Sequence, residues 1–129
     1  MPHPPVISIV DDDGSVRAAT YNLVRSLGYM VHTFASAEEF LRSSYLNNTS
    51  CVIADVRMPA MSGLDLQAHL LATGRHLPFI FITAFSVESD RVRALQAGAI
   101  CFLIKPFDGD VLIRCLDTAL AQLGAPAIE

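Results

Sequence analysis

Five short apolar runs punctuate the chain: Val6–Val10, Met30–Phe34, Cys51–Ala54, Phe79–Thr83 and Ile100–Ile104. They are rich in Val, Ile and Phe, and most lack the polar alternation of a half-exposed strand. They therefore read as strands of a sheet covered on both faces. The longer stretches between them carry helix punctuation. Ser36 with Glu39, and Ser62 with Asp65, have capping-box spacing or a near variant of it. Gly28, Gly74 and Gly98 stand where the first, third and fourth of these segments need a left-handed closing residue. Asp108 precedes a last helix whose apolar face is Val111, Leu112, Cys115, Leu116, Ala119, Leu120 and Leu123. Strand and helix alternate five times, which predicts an α/β domain with right-handed crossovers and a five-stranded, mostly parallel sheet.

The segment Ser86–Ala97 is weakly specified. A stripe through Val87, Ala94, Leu95 and Gly98 has to include Arg91, and Val92 falls off it. So poor an apolar face predicts loose anchoring, as a solvated surface helix or as a mobile element that meets a partner.

The 129 residues suit one domain, and 52% hydrophobic content is too apolar for a disordered chain. Residues 6–123 are expected to form that domain, with a proline-rich lead at 1–5 and a tail or linker start at 124–129. No run approaches the roughly 20 apolar residues of a membrane span, and no export signal is visible, so a soluble, cytoplasmic protein is expected. The formal charge of −4 argues against a phosphate-backbone partner, hence no direct nucleic acid. Cys51, Cys101 and Cys115 lie far apart in apolar segments without metal-ligand spacing. They read as small buried residues in a reducing compartment.

In an open parallel sheet the chemistry collects beyond the carboxyl ends of the strands. The first strand ends in Asp11, Asp12 and Asp13, the third in Asp55, the fourth in Thr83, and the fifth in Lys105, the only lysine of the chain. Each alone has an ordinary use: acids at a helix start, a turn cap, a strand residue, a solvated charge. Their joint placement on one edge marks a site. Asp11, Asp12 and Asp55 on neighbouring strands would repel one another unless a cation entered, and an all-oxygen set suits Mg²⁺ or Mn²⁺. Carboxylates, a hard cation, a hydroxyl and an ammonium together make a phosphoryl-handling site.

Val-Asp-Asp at 10–12, Asp-Val-Arg-Met-Pro-Ala-Met-Ser-Gly at 55–63, Ile-Thr-Ala at 82–84, Gly-Ala at 98–99 and Lys-Pro-Phe at 105–107 resemble the receiver domain of two-component response regulators. The resemblance runs from about Val6 to Leu123, and the Arg-Met-Pro-x-Met-Ser-Gly wording with Phe102 is most similar to nitrogen-fixation regulators that carry a LuxR-type DNA-binding domain. It implies a doubly wound (βα)5, flavodoxin-like fold with strand order 2-1-3-4-5. Asp55 would be the phosphoacceptor from a sensor histidine kinase or phosphotransfer protein, not part of a dedicated multiple-turnover enzyme. Mg²⁺, or Mn²⁺ in its place, would be held by Asp11 (largely through water), Asp12, Asp55 and the Arg57 carbonyl. Lys105 would pair with a phosphoryl oxygen, with the Thr83 hydroxyl and the Ala84 amide as further donors. Thr83 and Phe102 would be the switch residues, and Pro106 would follow Lys105 through a cis peptide. Phosphorylation would change the surface of the fourth helix, fifth strand and fifth helix. That surface would form a homodimer or meet a C-terminal DNA-binding output domain absent from this chain.

Against the family pattern, the switch residue is Phe rather than the common Tyr, so it has no phenolic hydroxyl, and the resemblance places Arg57 and Phe85 at positions that flank the path of attacking water in this family. Two other classes share parts of this pattern. A flavodoxin-like cofactor binder needs a neutral, hydroxyl- and glycine-rich loop after the first strand, where Asp11–Asp13 stand. A phosphohydrolase with an aspartyl nucleophile usually has a second acid two residues later, where this chain has Arg57.

Overall fold

A computed structural model describes residues 4–85 and 87–124. The first three residues of the lead, Ser86 and the tail after Gly124 lie outside the described residues, as does the side chain of Leu123 on the expected apolar face. The elements run β1 (Val6–Val10), α1 (Gly14–Ser26), β2 (Met30–Phe34), α2 (Ala37–Leu41), β3 (Cys51–Asp55), α3 (Gly63–Ala72), β4 (Phe79–Thr83), α4 (Glu88–Gln96), β5 (Cys101–Ile104) and α5 (Gly109–Gly124), with one 3₁₀ turn at Leu46–Asn48. All strand pairs are parallel and the order is β2-β1-β3-β4-β5, as expected. Two strand boundaries differ by one residue: Asp55 is the last residue of β3, and Ile100 precedes β5.

Alternation along the central strands sorts the core into two layers. On β4, Phe79 and Phe81 join Val52, Ala54, Phe40 and Leu66 on one face of the sheet. Ile80 and Ile82 join Ile7, Ile9, Ile53, Val24, Leu112 and Leu116 on the other. Both faces are thus filled, which is why β3 and β4 read as unbroken apolar runs.

The helix ends follow the punctuation. Ser62 accepts from the Asp65 amide (3.0 Å) while the Asp65 carboxylate accepts from the Ser62 amide (3.4 Å), a complete capping box on α3. On α2 only half of it forms: Ser36 accepts from the Glu39 amide, whereas the Glu39 carboxylate accepts from Ala35. Gly28, Gly74 and Gly98 all have positive φ, the conformation their closing role requires.

The cysteines depart from expectation. Cys51 is a fully buried core residue, but Cys101 and Cys115 are joined as a disulfide. They are 14 residues apart in sequence, and the packing of α5 back onto the sheet brings their Cα atoms to 6.2 Å.

Candidate functional site

The parallel register sets Val10 beside Ala54, so Asp11 and Asp55 emerge side by side from β1 and β3. Asp11 and Thr83 are fully buried and Asp55 nearly so, whereas Asp12 is exposed. Lys105, just past β5, reaches back to both acids: its Nζ lies 3.4 Å from Asp11 Oδ2 and 3.2 Å from Asp55 Oδ2. The Lys105–Pro106 peptide is cis, as the resemblance implied.

Backbone donors hold the carboxylates. The Asp13 amide donates to Asp11 Oδ1 (2.9 Å) and the Arg57 amide to Asp55 Oδ1 (3.2 Å). Burial pushes the Asp11 carboxyl up to about 6; the Asp13 amide pulls against this, the Asp55 charge adds to it, and Lys105 opposes it. Burial alone would lower Lys105, but the charges of Asp11 and Asp55 outweigh it and hold the ammonium above its ordinary range. One ammonium therefore faces two of the acids, and one carboxylate oxygen from each of Asp11, Asp12 and Asp55 lies within 4.8 Å of the other two. This all-oxygen, negatively unbalanced set fits a hard divalent cation.

The loop after β3 explains Gly63. A Cβ there would sit 2.3 Å from the Asp55 carbonyl oxygen and 3.1 Å from the Phe81 ring. Gly63 also donates its amide to the Val56 carbonyl (3.0 Å). Only glycine lets α3 begin this close to the end of β3, and Ala60, with φ of 64°, turns the chain into that approach.

The other expected residues gather at the same edge. The Thr83 hydroxyl is engaged by Phe85, accepting from its amide (3.1 Å) and donating to its carbonyl (3.2 Å). Ala84 and Phe85 are exposed at the rim. Phe102 is partly buried on the aromatic face, its ring centroid 6.5 Å from that of Phe81. Arg57 is exposed and its guanidinium pairs with Asp90 on α4.

Three supports were not foreseen. Asp13, read from the sequence only as one of a run of acids at a helix start, is the side-chain cap of α1, accepting from the amides of Ser15 (2.9 Å) and Val16 (3.2 Å). Its place directly before a helix start was the available signal. Arg17 donates to the Asp11 carbonyl (2.7 Å) and ties α1 to the end of β1. The Arg57–Asp90 pair links residues 33 apart and had no local signature.

Residues 7–117 match the family model of the response regulator receiver domain. The chain belongs to that family. It is 46% identical over 115 residues to the response regulator protein TmoT of Ectopseudomonas mendocina, covering 89% of this chain and 52% of that protein. The transcriptional regulatory protein FixJ of Azorhizobium caulinodans is 35% identical over 122 residues, which cover 95% of this chain and 58% of FixJ. The solved structure of FixJ-N superposes with a TM-score of 0.83 at 30% identity, covering 98% of this chain and all of that one. The nitrogen-fixation resemblance is thus matched by relatives. This receiver domain spans about half the length of the curated relatives it matches. Among the described residues, no helix is long and apolar enough to cross a membrane.

Proposed function

We propose that this receiver domain takes a phosphoryl group onto Asp55 from the phosphohistidine of a sensor histidine kinase or phosphotransfer protein. The observation that carries the reading is the nearly buried Asp55 carboxylate, 3.2 Å from the chain's only lysine and grouped with Asp11 and Asp12. An Asp55 oxygen attacks phosphorus, the P–N bond to imidazole breaks, and the acyl phosphate forms. Lys105 holds a phosphoryl oxygen by charge. The Thr83 hydroxyl exchanges its Phe85 partners for another phosphoryl oxygen, and the Ala84 amide donates beside it. Phe102 then moves into space that Thr83 vacates.

Asp11, Asp12, Asp55 and the Arg57 carbonyl would hold Mg²⁺, or Mn²⁺ in its place, which supplies charge neutralisation at the phosphoryl oxygens. The added charge of about −1.5 to −2 redirects these donors and changes the α4–β5–α5 surface, which then forms a homodimer or meets an output domain. The transcriptional regulators among the relatives support a DNA-binding output, and the −4 charge supports a switch that does not itself touch DNA. It accepts and releases a phosphoryl group; it is not a multiple-turnover enzyme.

Intact mass after incubation with acetyl phosphate and Mg²⁺ tests the reading. One phosphoryl group is expected on the wild type and none on Asp55→Asn. No gain in either, or equal gain in both, overturns it.

A further inference from the structure

The three cysteines occupy different surroundings. Cys51 is fully buried, and burial pushes its thiol up to about 12, so it is inert in the folded state. Cys101 is partly exposed at the start of β5, an edge strand paired only to β4 among the described residues. Cys115 is nearly buried on the inner face of α5, bonded to Cys101. The bond closes a segment that contains Phe102, Lys105 and the whole β5–α5 turn.

We propose that Cys101 and Cys115 form an exchange site for low-molecular-weight disulfides, whose state sets how far β5 and α5 respond to phosphorylation of Asp55. The second half rests on the function proposed above. Three observations favour a reversible bond over a permanent staple. The core is complete on both faces of the sheet, and a chain of this length folds on such a core without cross-links. One sulfur of the pair belongs to a residue that solvent reaches, and accessible disulfides are the labile ones. The bond also joins β5 to α5, the two elements whose shared surface the proposed function has responding to phosphorylation, rather than two central strands.

In the forward direction the Cys101 thiolate attacks a small disulfide, forms a mixed disulfide and expels one small thiolate. The Cys115 thiolate then attacks Cys101 Sγ and expels the second. Two protein thiols are oxidised to one disulfide, one small disulfide is reduced to two thiols, and the two protons pass to them. Excess small thiol reverses both steps. With the bond closed, Cys101 is fastened to α5 and the adjacent Phe102 moves less. With the bond open, β5 adjusts against α5.

The test uses the chain in two stages. It is equilibrated with mixtures of reduced and oxidised glutathione, alkylated while folded, and weighed. One alkyl group, on Cys101, is expected in excess reduced glutathione and none in excess oxidised glutathione, with the nearly buried Cys115 and the buried Cys51 labelled only after unfolding and reduction. Cys101 labelled under oxidised glutathione, or unlabelled under reduced glutathione, overturns the exchange site. Cys115→Ala is expected to stop at a glutathione adduct on Cys101, and Cys101→Ser to take no adduct. The reverse pattern overturns the order of attack. In the second stage, both redox forms receive acetyl phosphate and Mg²⁺ and are compared by intact mass and sedimentation. Self-association of the phosphorylated oxidised form is expected to be on the order of tenfold weaker than that of the reduced form. Equal association, or none, in the two phosphorylated forms overturns the coupling. No phosphoryl uptake in either form overturns the phosphoacceptor reading and the coupling with it, while the thiol titration stands by itself.

Discussion

Between β3 and α3 the chain closes on itself: Gly63 sits against the Asp55 carbonyl, and Ser62 and Asp65 cap the helix reciprocally. Leu64, Leu66, Gln67 and Leu70 then follow α3 into the core. Between β4 and α4 the construction is different. Val87 caps α4 without a side-chain bond, Ala94 is its one buried residue, and Val92 and Leu95 are exposed. Polar ties hold this helix instead. Gln67 Nε2 donates to the Ala94 carbonyl (3.3 Å), Arg93 pairs with Asp65 (3.3 Å), and Arg57 pairs with Asp90. Exposed ion pairs contribute about 0–1 kcal/mol each and weaken in salt. The β3–α3 side is therefore fixed by packing, and the β4–α4 side by interactions that can be exchanged without opening the core. Under the proposed function, a phosphoryl group would use the first for placement and the second for readout.

The largest expected effect attacks the fixed side. Gly63→Ala forces a Cβ against backbone that cannot yield cheaply, and should cost about 3 kcal/mol by urea unfolding. A loss under about 1 kcal/mol would mean that this loop is as adaptable as the one after β4.

The same side carries a charge cost. The Asp11 carboxyl has an ordinary value of 3.8 and is held up to about 6 in the folded domain. Between these values the folded state binds the extra proton, so metal-free stability falls as pH rises from about 4 to about 6 and then levels. Asp11→Asn should flatten that slope. Saturating Mg²⁺ at pH 7 should raise the wild-type Tm by about 5 °C and the variant's by less, read by scanning calorimetry. A wild type that gains stability across that pH interval would contradict the assignment.

The helix caps sharpen the contrast at a smaller scale. Ser62→Ala should cost about 1 kcal/mol, whereas Val87→Ser should stabilise by about 0.5 kcal/mol by supplying the cap that α4 lacks. No gain, or a loss, from Val87→Ser in thermal melts would mean that α4 already satisfies its first amides another way. The smallest effect is the most local. Asp90→Asn should change global stability by under about 0.5 kcal/mol, yet speed amide exchange through α4 and leave α3 unaffected. Unchanged exchange in α4 would remove the Arg57 pair from the interactions that hold this helix.

Much of this contrast was legible in the chain. The unbroken apolar runs marked the sheet, the Ser62–Asp65 spacing marked the well-capped helix, and the weak stripe around Val92 marked the loose one. The acids and the lysine at successive strand ends marked the site before any geometry was known. These signals are local, because strand and helix periods and caps act within about one helical turn.

What needed the fold is separated along the chain. Lys105 meets Asp55 across 50 positions and Asp11 across 94, and Arg57 meets Asp90 across 33. Cys101 and Cys115 share no sequence signature that distinguishes a pair from two isolated core thiols. Their approach is decided by how α5 packs back onto the sheet. Gly63 stood in a familiar motif, but its reason is the Asp55 carbonyl that a side chain would strike. The amino-acid sequence alone determined the alternating elements and the residue types at the strand ends, since periodicity and turn chemistry are properties of neighbours. Distances between groups, the pairing of the cysteines and the difference in anchoring between α3 and α4 were decided only by tertiary structure, since they depend on which surfaces packing brings into contact.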